Sequence, residues 1–99
     1  MSYYFTKSSR KDLKDIWHYT DKKWGEAQAD KYLKGISTVC QEISKHPTIG
    51  RLLYGISTDI RVYRYHKHYI FYLDSKKSVR IIAVLHEKMD LLKRIPWRI

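Results

Sequence analysis

Two amphipathic helical segments, separated by a break at Trp24-Gly25-Glu26, constrain this sequence more than any other feature. Apolar residues of the first segment recur at i, i+3, i+4 and i+7, and the second keeps this periodicity from Ala29 to Ile43. Ser9 is placed to cap the first helix, and Pro47 predicts that the second helix ends near Lys45. Two such helices with a short connection form an antiparallel hairpin, whose shared apolar stripe must pack on another layer.

The second half of the chain supplies that layer. β-Branched and aromatic residues dominate Ile60 to Tyr65, His68 to Leu73 and Val79 to Leu85, which we predict to be strands. The turn His66-Lys67 lacks Gly or Asn, so we expect a loop slightly longer than two residues. The segment Tyr3 to Thr6 is a further short strand. The predicted fold class is therefore α+β, with an N-terminal strand and an antiparallel helical hairpin packed on a mainly antiparallel β-sheet of three to four strands.

The apolar character of Val79 to Leu85 predicts a central position in this sheet, because both faces of the strand would be buried. The whole chain, 1–99, is expected to form one domain, with the tail 96–99 either docked or flexible. No segment approaches the ~18 apolar residues that a membrane span needs. The N-terminus lacks a secretory signal, and the single Cys40 cannot close an internal disulfide, so we expect a cytoplasmic protein.

The charge of the chain points to an acidic partner. Twenty Lys and Arg residues against ten Asp and Glu residues give a net charge of +10. Residues 51–99 carry eleven of the bases and four of the acids, so most of the positive field lies in the sheet half. Such a field accelerates encounter with nucleic acid or with an acidic protein, and it does not distinguish between them.

The sequence supports neither a metal site nor a cofactor. His66, His68 and His86 have no cysteine or carboxylate cluster at a ligand spacing beside them. A stronger pattern interleaves basic residues with tyrosines, as RNA binding would require, although alternation places Arg61 and Arg64 on opposite faces of one strand. Ordinary packing explains the pattern equally well. Its members are Arg61, Arg64, Lys67 and Arg80 with Tyr63, Tyr65, Tyr69 and Tyr72.

Six features in the same order resemble the ParE toxins of the RelE/ParE superfamily, which belong to bacterial type II toxin–antitoxin pairs. The resemblance spans roughly residues 4–90, and no single motif carries it alone. The features are Asp12-Leu13 with Ile16-Trp17, Trp24-Gly25, Pro47 to Arg51, Arg61, His68 to Tyr72, and Leu85 to Asp90.

This resemblance implies a toxin that inhibits DNA gyrase by binding, blocks replication and has no active site of its own. It also implies a hetero-oligomer with a cognate acidic antitoxin, either ParD-like or of another ribbon-helix-helix type. Candidates for contact with the target are Arg61, Arg64, Tyr69, His86 and Lys88. Candidates for contact with the antitoxin are Leu13, Trp17, Trp24, Tyr32 and Arg61.

The related RelE branch implies an alternative, a ribosome-dependent mRNA endonuclease in which Arg61, His86 and Lys88 would be the catalytic candidates. Tyr69 stands where that branch has an arginine, so the nuclease set is incomplete and the gyrase hypothesis is favoured. A basic nucleic-acid-binding module without toxin activity is the third hypothesis. It predicts affinity for naked nucleic acid that falls steeply with salt.

Overall fold

In the computed structural model, which describes residues 2–53, 59–75 and 77–98, a five-stranded sheet carries two long helices on one face. The strand order is β1-β5-β4-β3-β2. Short 3-10 turns cover Pro47–Ile49 and Ile95–Arg98. The elements are β1 (Ser2–Phe5), α1 (Lys7–Trp24), α2 (Glu26–Lys45), β2 (Arg51–Leu52), β3 (Ile60–Tyr65), β4 (His68–Asp74), β5 (Ser78–His86) and α3 (Leu91–Arg94).

The predicted α+β class and the helical hairpin are confirmed, whereas the expected count of three to four strands is too low. β1 joins the sheet as a parallel neighbour of β5, and the two-residue β2 adds a short antiparallel edge beside β3. Both strands are too short for the sequence to indicate which strands they pair with. β5 is an interior strand, as expected from its apolar faces, but β4 occupies the middle of the sheet.

The first helix begins earlier than predicted, because Thr6 rather than Ser9 caps it. The amide of Ser9 donates to Thr6 Oγ1 over 3.2 Å, and Ser9 itself is buried inside the first turn. Gly25 separates the helices with a φ of 96° and a ψ of 165°, a conformation that is essentially restricted to glycine. The break predicted at Trp24-Gly25-Glu26 is therefore a backbone requirement.

The turn between β3 and β4 has two residues, so the longer loop expected there is wrong. Tyr65 pairs directly with His68 across the two strands. His66 takes a φ of 50°, a left-handed conformation that a residue other than glycine adopts at some energetic cost. Tertiary pairing of the flanking strands thus overrides the absence of a preferred turn residue.

Two apolar clusters hold the layers together, one on each face of the sheet. The helix-side cluster includes Cys40, whose burial raises the pKa of the thiol to about 12. The opposite cluster is covered by the C-terminal segment through Ile95. The helix-side members are Ile16, Ile36, Cys40, Ile43, Ile70, Tyr72, Val79, Ile81 and Val84, and the opposite members are Ile60, Val62, Phe71, Ile82, Ala83, Leu85 and Ile95.

An ion pair fastens the C-terminal segment to the first helix. The guanidinium of Arg98 donates to both carboxylate oxygens of Asp12, over 2.8 Å and 3.0 Å, and to the carbonyl of Ile82 over 3.1 Å. Asp12 also accepts the amide of Val84 over 3.0 Å. The chain up to Arg98 is therefore docked, and Ile99 lies outside the described residues.

Candidate docking site at one end of the sheet

The chemically richest end of the sheet lies where β3 turns into β4 and where β5 ends. Tyr65, His68 and His86 form one cross-strand row there. The amide of Glu87 donates to the carbonyl of Lys67 over 2.8 Å, which holds the segment after β5 against the turn. We call this region the sheet end and define it as residues 64–69 and 86–88.

On the helix side of the sheet end, His68 is held under the second helix. Its Nδ1 is hydrogen-bonded to the hydroxyl of Tyr32 at 2.6 Å, and its ring forms a T-shaped pair with the His86 ring, with 5.1 Å between the ring centres. Burial first, and the neighbouring His86 second, lower the pKa of His68 to about 4 against the opposing effect of Glu87. His68 is consequently neutral at pH 7.

His86 is half-buried, as His68 is. The amide of Lys88 donates to its Nδ1 over 3.1 Å, so the proton of the neutral ring is on Nε2. Both histidines border a cavity of about 380 Å³ between α1 and the end of β5. We call this cavity the histidine pocket. Its lining residues are Asp12, Asp15, Ile16, Tyr19, His68, Val84, His86 and Met89.

The opposite face of the sheet end presents Arg64. Its Nε donates to the carbonyl of His66 over 2.7 Å, and its Nη1 donates to the hydroxyl of Tyr69 over 3.2 Å. A salt bridge to Glu87 completes the arrangement, and the guanidinium carbon lies 5.4 Å from the centre of the Tyr69 ring. The half-exposed ion pair adds little stability, so its main effect is to orient the guanidinium.

The structure brings four of the five predicted target contacts to the sheet end, with Arg64 and Tyr69 on one face and His86 on the other, and leaves out the fifth. Arg64, Tyr69, His86 and Lys88 all belong to the sheet end. Arg61 does not, because it pairs with Tyr72, four positions along β4 from His68 and therefore roughly 13 Å away along the strand. The nuclease candidates Arg61, His86 and Lys88 do not converge on one point.

Arg61 is instead part of a clamp on the loop after the second helix. Its Nη1 donates to the carbonyl of Gly50 over 2.7 Å. The buried Tyr72 hydroxyl donates to the carbonyl of Pro47 over 2.7 Å and accepts the amide of Gly50 over 2.9 Å. A Cβ added at Gly50 would lie 2.5 Å from that hydroxyl and 2.9 Å from the carbonyl oxygen of Val62. The Pro47 to Arg51 motif is thus a tightly packed loop that is hydrogen-bonded to Arg61 and Tyr72 of the sheet.

Of the residues predicted to meet an antitoxin, Trp24 is the most accessible. It is 69% exposed at the end of α1. Leu13 packs against the helix-side cluster, the indole nitrogen of Trp17 donates to Asp30 over 2.8 Å, and Tyr32 is tied to His68. Their internal contacts indicate a structural contribution in addition to any binding role.

Two exposed residues that line the histidine pocket were not among the contact residues predicted from the sequence. Tyr19 is 62% exposed and Met89 is 41% exposed. Tyr19 lies off the apolar stripe of α1, and a large aromatic residue on the polar side of an amphipathic helix is a signal that could have identified it.

Within residues 2–53, 59–75 and 77–98, no group of three or more His, Cys, Asp or Glu side chains is placed to hold a metal ion. In the same part of the chain, no helix combines the length and the apolar character needed to cross a membrane.

Comparison with known proteins adds independent information to this geometry. The sequence profile described as "ParE toxin of type II toxin-antitoxin system, parDE" matches residues 3–91. Toxin ParE1 of Caulobacter vibrioides is 31% identical over 88 residues, which cover 89% of this chain and 91% of that protein. Toxin ParE of Escherichia coli is 27% identical over 99 residues, which cover 99% of this chain and 96% of that protein.

Two solved structures share the fold. A structure described as the chromosomal ParDE TA system from P. aeruginosa superposes with a TM-score of 0.72 at 17% identity, over 87% of this chain and 95% of that one. The YoeB dimer from Staphylococcus aureus gives a TM-score of 0.60 at 19% identity, over 84% and 92%.

Proposed function

Because this chain belongs to the ParE family, the toxins of type II toxin–antitoxin systems, we propose that it inhibits DNA gyrase by docking and that a cognate acidic antitoxin neutralises it. In this proposal the toxin acts in the cytoplasm, blocks replication and carries out no chemistry of its own. The sheet end is the surface that meets the target.

The position of Arg61 is the observation that carries this proposal. An RNA-cleaving site needs its phosphate-binding and proton-transferring groups within hydrogen-bond reach of one scissile phosphodiester group. Arg61 is bound to Gly50 and lies roughly 13 Å along the strand from the row that contains His86. This separation supports a docking toxin over a nuclease built from Arg61, His86 and Lys88.

The shape of the sheet end also suits protein recognition. Arg64 is oriented by three partners and still exposes half of its side chain, with the Tyr69 ring beside it. Preorganised arginine and tyrosine side chains are typical anchors of protein interfaces, because little conformational entropy is lost when they bind.

The first test compares the two target classes directly. Purified toxin is added to gyrase supercoiling and DNA-cleavage assays, and in parallel to a ribosome-programmed mRNA cleavage assay. We expect inhibition of gyrase and no mRNA cleavage. Ribosome-dependent cuts with gyrase unaffected would overturn the proposal.

The second test locates the surface. The pair Arg64→Gln and Lys88→Gln should raise the toxin concentration needed for half-inhibition about tenfold, equal to about 1.4 kcal/mol of binding free energy. The matched control is Lys31→Gln with Lys34→Gln, which removes the same charge from the exposed side of α2. Equal losses in both variants would show that only net charge matters.

A RelE-type endonuclease is the second candidate, and one observation favours it. The backbone amide of Lys88 donates to Nδ1 of His86, which makes these two catalytic candidates direct neighbours at the end of β5. If the mRNA assay is positive, His86→Gln should abolish cleavage while the protein retains its thermal stability.

The antitoxin is proposed to be ParD-like or of another ribbon-helix-helix type, with an acidic amphipathic segment that lies along the helical hairpin. The net charge of +10 and the apolar side chains exposed at Tyr19 and Trp24 support this choice. A side chain of the antitoxin can fill the histidine pocket, whose lining includes Ile16 and Val84.

Binding kinetics of the complex test this part of the proposal. Raising salt should slow association more than it speeds dissociation, since exposed charges steer the encounter. Tyr19→Ala should mainly speed dissociation. An association rate independent of salt would contradict the charge argument, and an unchanged dissociation rate for Tyr19→Ala would exclude the pocket as an anchor site.

A further inference from the structure

A second concave surface lies on the other side of α1, outside the sheet end. It is a groove of about 1130 Å³ between the start of α1 and the first part of β5. We call it the basic groove. Asp15 borders both this groove and the histidine pocket, so the two concavities share only the edge of the helix. Its basic residues are Lys7, Arg10, Lys11, Lys14, Arg80 and Arg98.

Most of this positive charge is uncompensated. Arg98 is neutralised by Asp12, and Lys11 lies 3.9 Å from Asp15 in an exposed pair. Among residues 2–53, 59–75 and 77–98, the remaining four bases have no salt-bridge or side-chain hydrogen-bond partner, and all four are exposed. These four are Lys7, Arg10, Lys14 and Arg80. The groove therefore presents a cluster of available cations.

We propose that the basic groove binds the phosphate backbone of duplex DNA. Lys7 and Lys14 stand two turns apart on α1, about 10 Å along its axis. Along the duplex axis the phosphates of one DNA strand advance by ~3.4 Å each, so this row of cations, laid parallel to that axis, spans the rise of about three successive phosphates. Arg80, on the neighbouring strand β5, adds a cation across the groove.

The lining distinguishes duplex DNA from an acidic peptide. An amphipathic antitoxin segment needs apolar surface to cover. In the described part of the chain, the large apolar side chains that are exposed all lie outside the groove. They are Tyr4, Tyr19, Trp24, Ile49 and Met89. The groove instead offers charge and the polar side chains of Thr6 and Ser8, which suit phosphate oxygens.

The same lining argues against single-stranded nucleic acid. Proteins that hold single strands stack the bases on aromatic side chains, a contribution of about 1–3 kcal/mol per base. No Phe, Tyr or Trp lines the groove as the structure describes it, and His18 is its one ring. A backbone-only contact to a duplex needs no stacking platform.

This inference goes beyond the proposed function, because it concerns naked DNA and does not require gyrase. In solution the test is fluorescence anisotropy of a labelled 20-base-pair duplex with the purified toxin. With four phosphate contacts, affinity should fall about a hundredfold between 50 mM and 200 mM salt. The variant Arg10→Gln, Lys14→Gln, Arg80→Gln should bind weakly and show a much shallower salt dependence.

The matched control is Lys31→Gln, Lys34→Gln, Lys45→Gln, which removes the same charge from α2 and should keep most of the affinity. Arg10→Lys with Arg80→Lys retains the charge and should also bind. Equal losses in the groove variant and the α2 variant would overturn the proposal. Tighter binding to single-stranded DNA, to duplex RNA or to poly-glutamate than to the DNA duplex would also overturn it.

Discussion

Acid should destabilise this fold through His68, and the size of the effect follows from the position of the ring. The pKa of His68 is about 4 in the folded protein, against 6.5 for an unperturbed histidine. Between these values the unfolded chain binds a proton that the folded chain does not. The stability that depends on neutral His68 is therefore complete above pH 6.5 and is lost as the pH falls from 6.5 towards 4.

The expected magnitude is modest. At pH 5, a pKa of about 4 in the folded protein and 6.5 in the unfolded chain lowers the free energy of unfolding by about 2 kcal/mol. Because His68 is half-buried and water screens part of its interaction, we expect about 1 kcal/mol. The hydrogen bond to Tyr32 and the contact with His86 keep the ring in this position, so the effect depends on the tertiary structure.

The assay is urea unfolding of the wild type and of His68→Gln at pH 7.5 and pH 5.0. All other ionisable side chains are common to both proteins, so the difference between their losses of stability reports on His68. The wild type should lose about 1 kcal/mol more than the variant. His18→Gln, at an exposed position on α1, is the control and should behave as the wild type.

Equal losses in the wild type and His68→Gln would refute the reasoning, because they would show that His68 titrates alike in both states. NMR titration of the His68 ring protons provides a second measurement. A midpoint near 6.5 in the folded protein would contradict the burial argument even if the variant were unstable for another reason.

Three further predictions concern stability and can be measured by thermal or urea unfolding. Gly25→Ala should cost about 1–3 kcal/mol through backbone strain alone, since a Cβ there meets nothing within 4 Å. Gly50→Ala should cost about 1–3 kcal/mol through overpacking, and Tyr72→Phe should not rescue it, because the carbonyl of Val62 stays in the way. Arg98→Ala should cost about 2–3 kcal/mol, while Lys93→Ala, which breaks an exposed pair, should cost almost nothing.

The helices and the alternation of the strands could be predicted from the sequence because both patterns are local. The periodicity of the apolar residues located α1 and α2, and the break at Gly25 separated them. Alternation along β3 correctly placed Arg61 on one face with Tyr63 and Tyr65, and Arg64 on the other.

The choice of helix cap could not be predicted in the same way. Thr6 and Ser9 are both suitable caps, and the sheet decides between them. The amide of Thr6 donates to the carbonyl of Ile81 over 3.0 Å, so the chain leaves the sheet at Thr6 and the helix starts directly afterwards. The position of the helix cap therefore depends on a hydrogen bond between residues 75 positions apart in the sequence.

By itself, the sequence determined the α+β class, the helical hairpin and the excess positive charge, because composition and periodicity do not depend on tertiary contacts. Only the tertiary structure decided which charges are available. It engages Arg61 with Gly50 and Arg98 with Asp12, and it leaves Arg10 and Arg80 exposed. The physical reason is that the partner of a partly buried cation is selected by packing between segments far apart in the sequence, which no local pattern encodes.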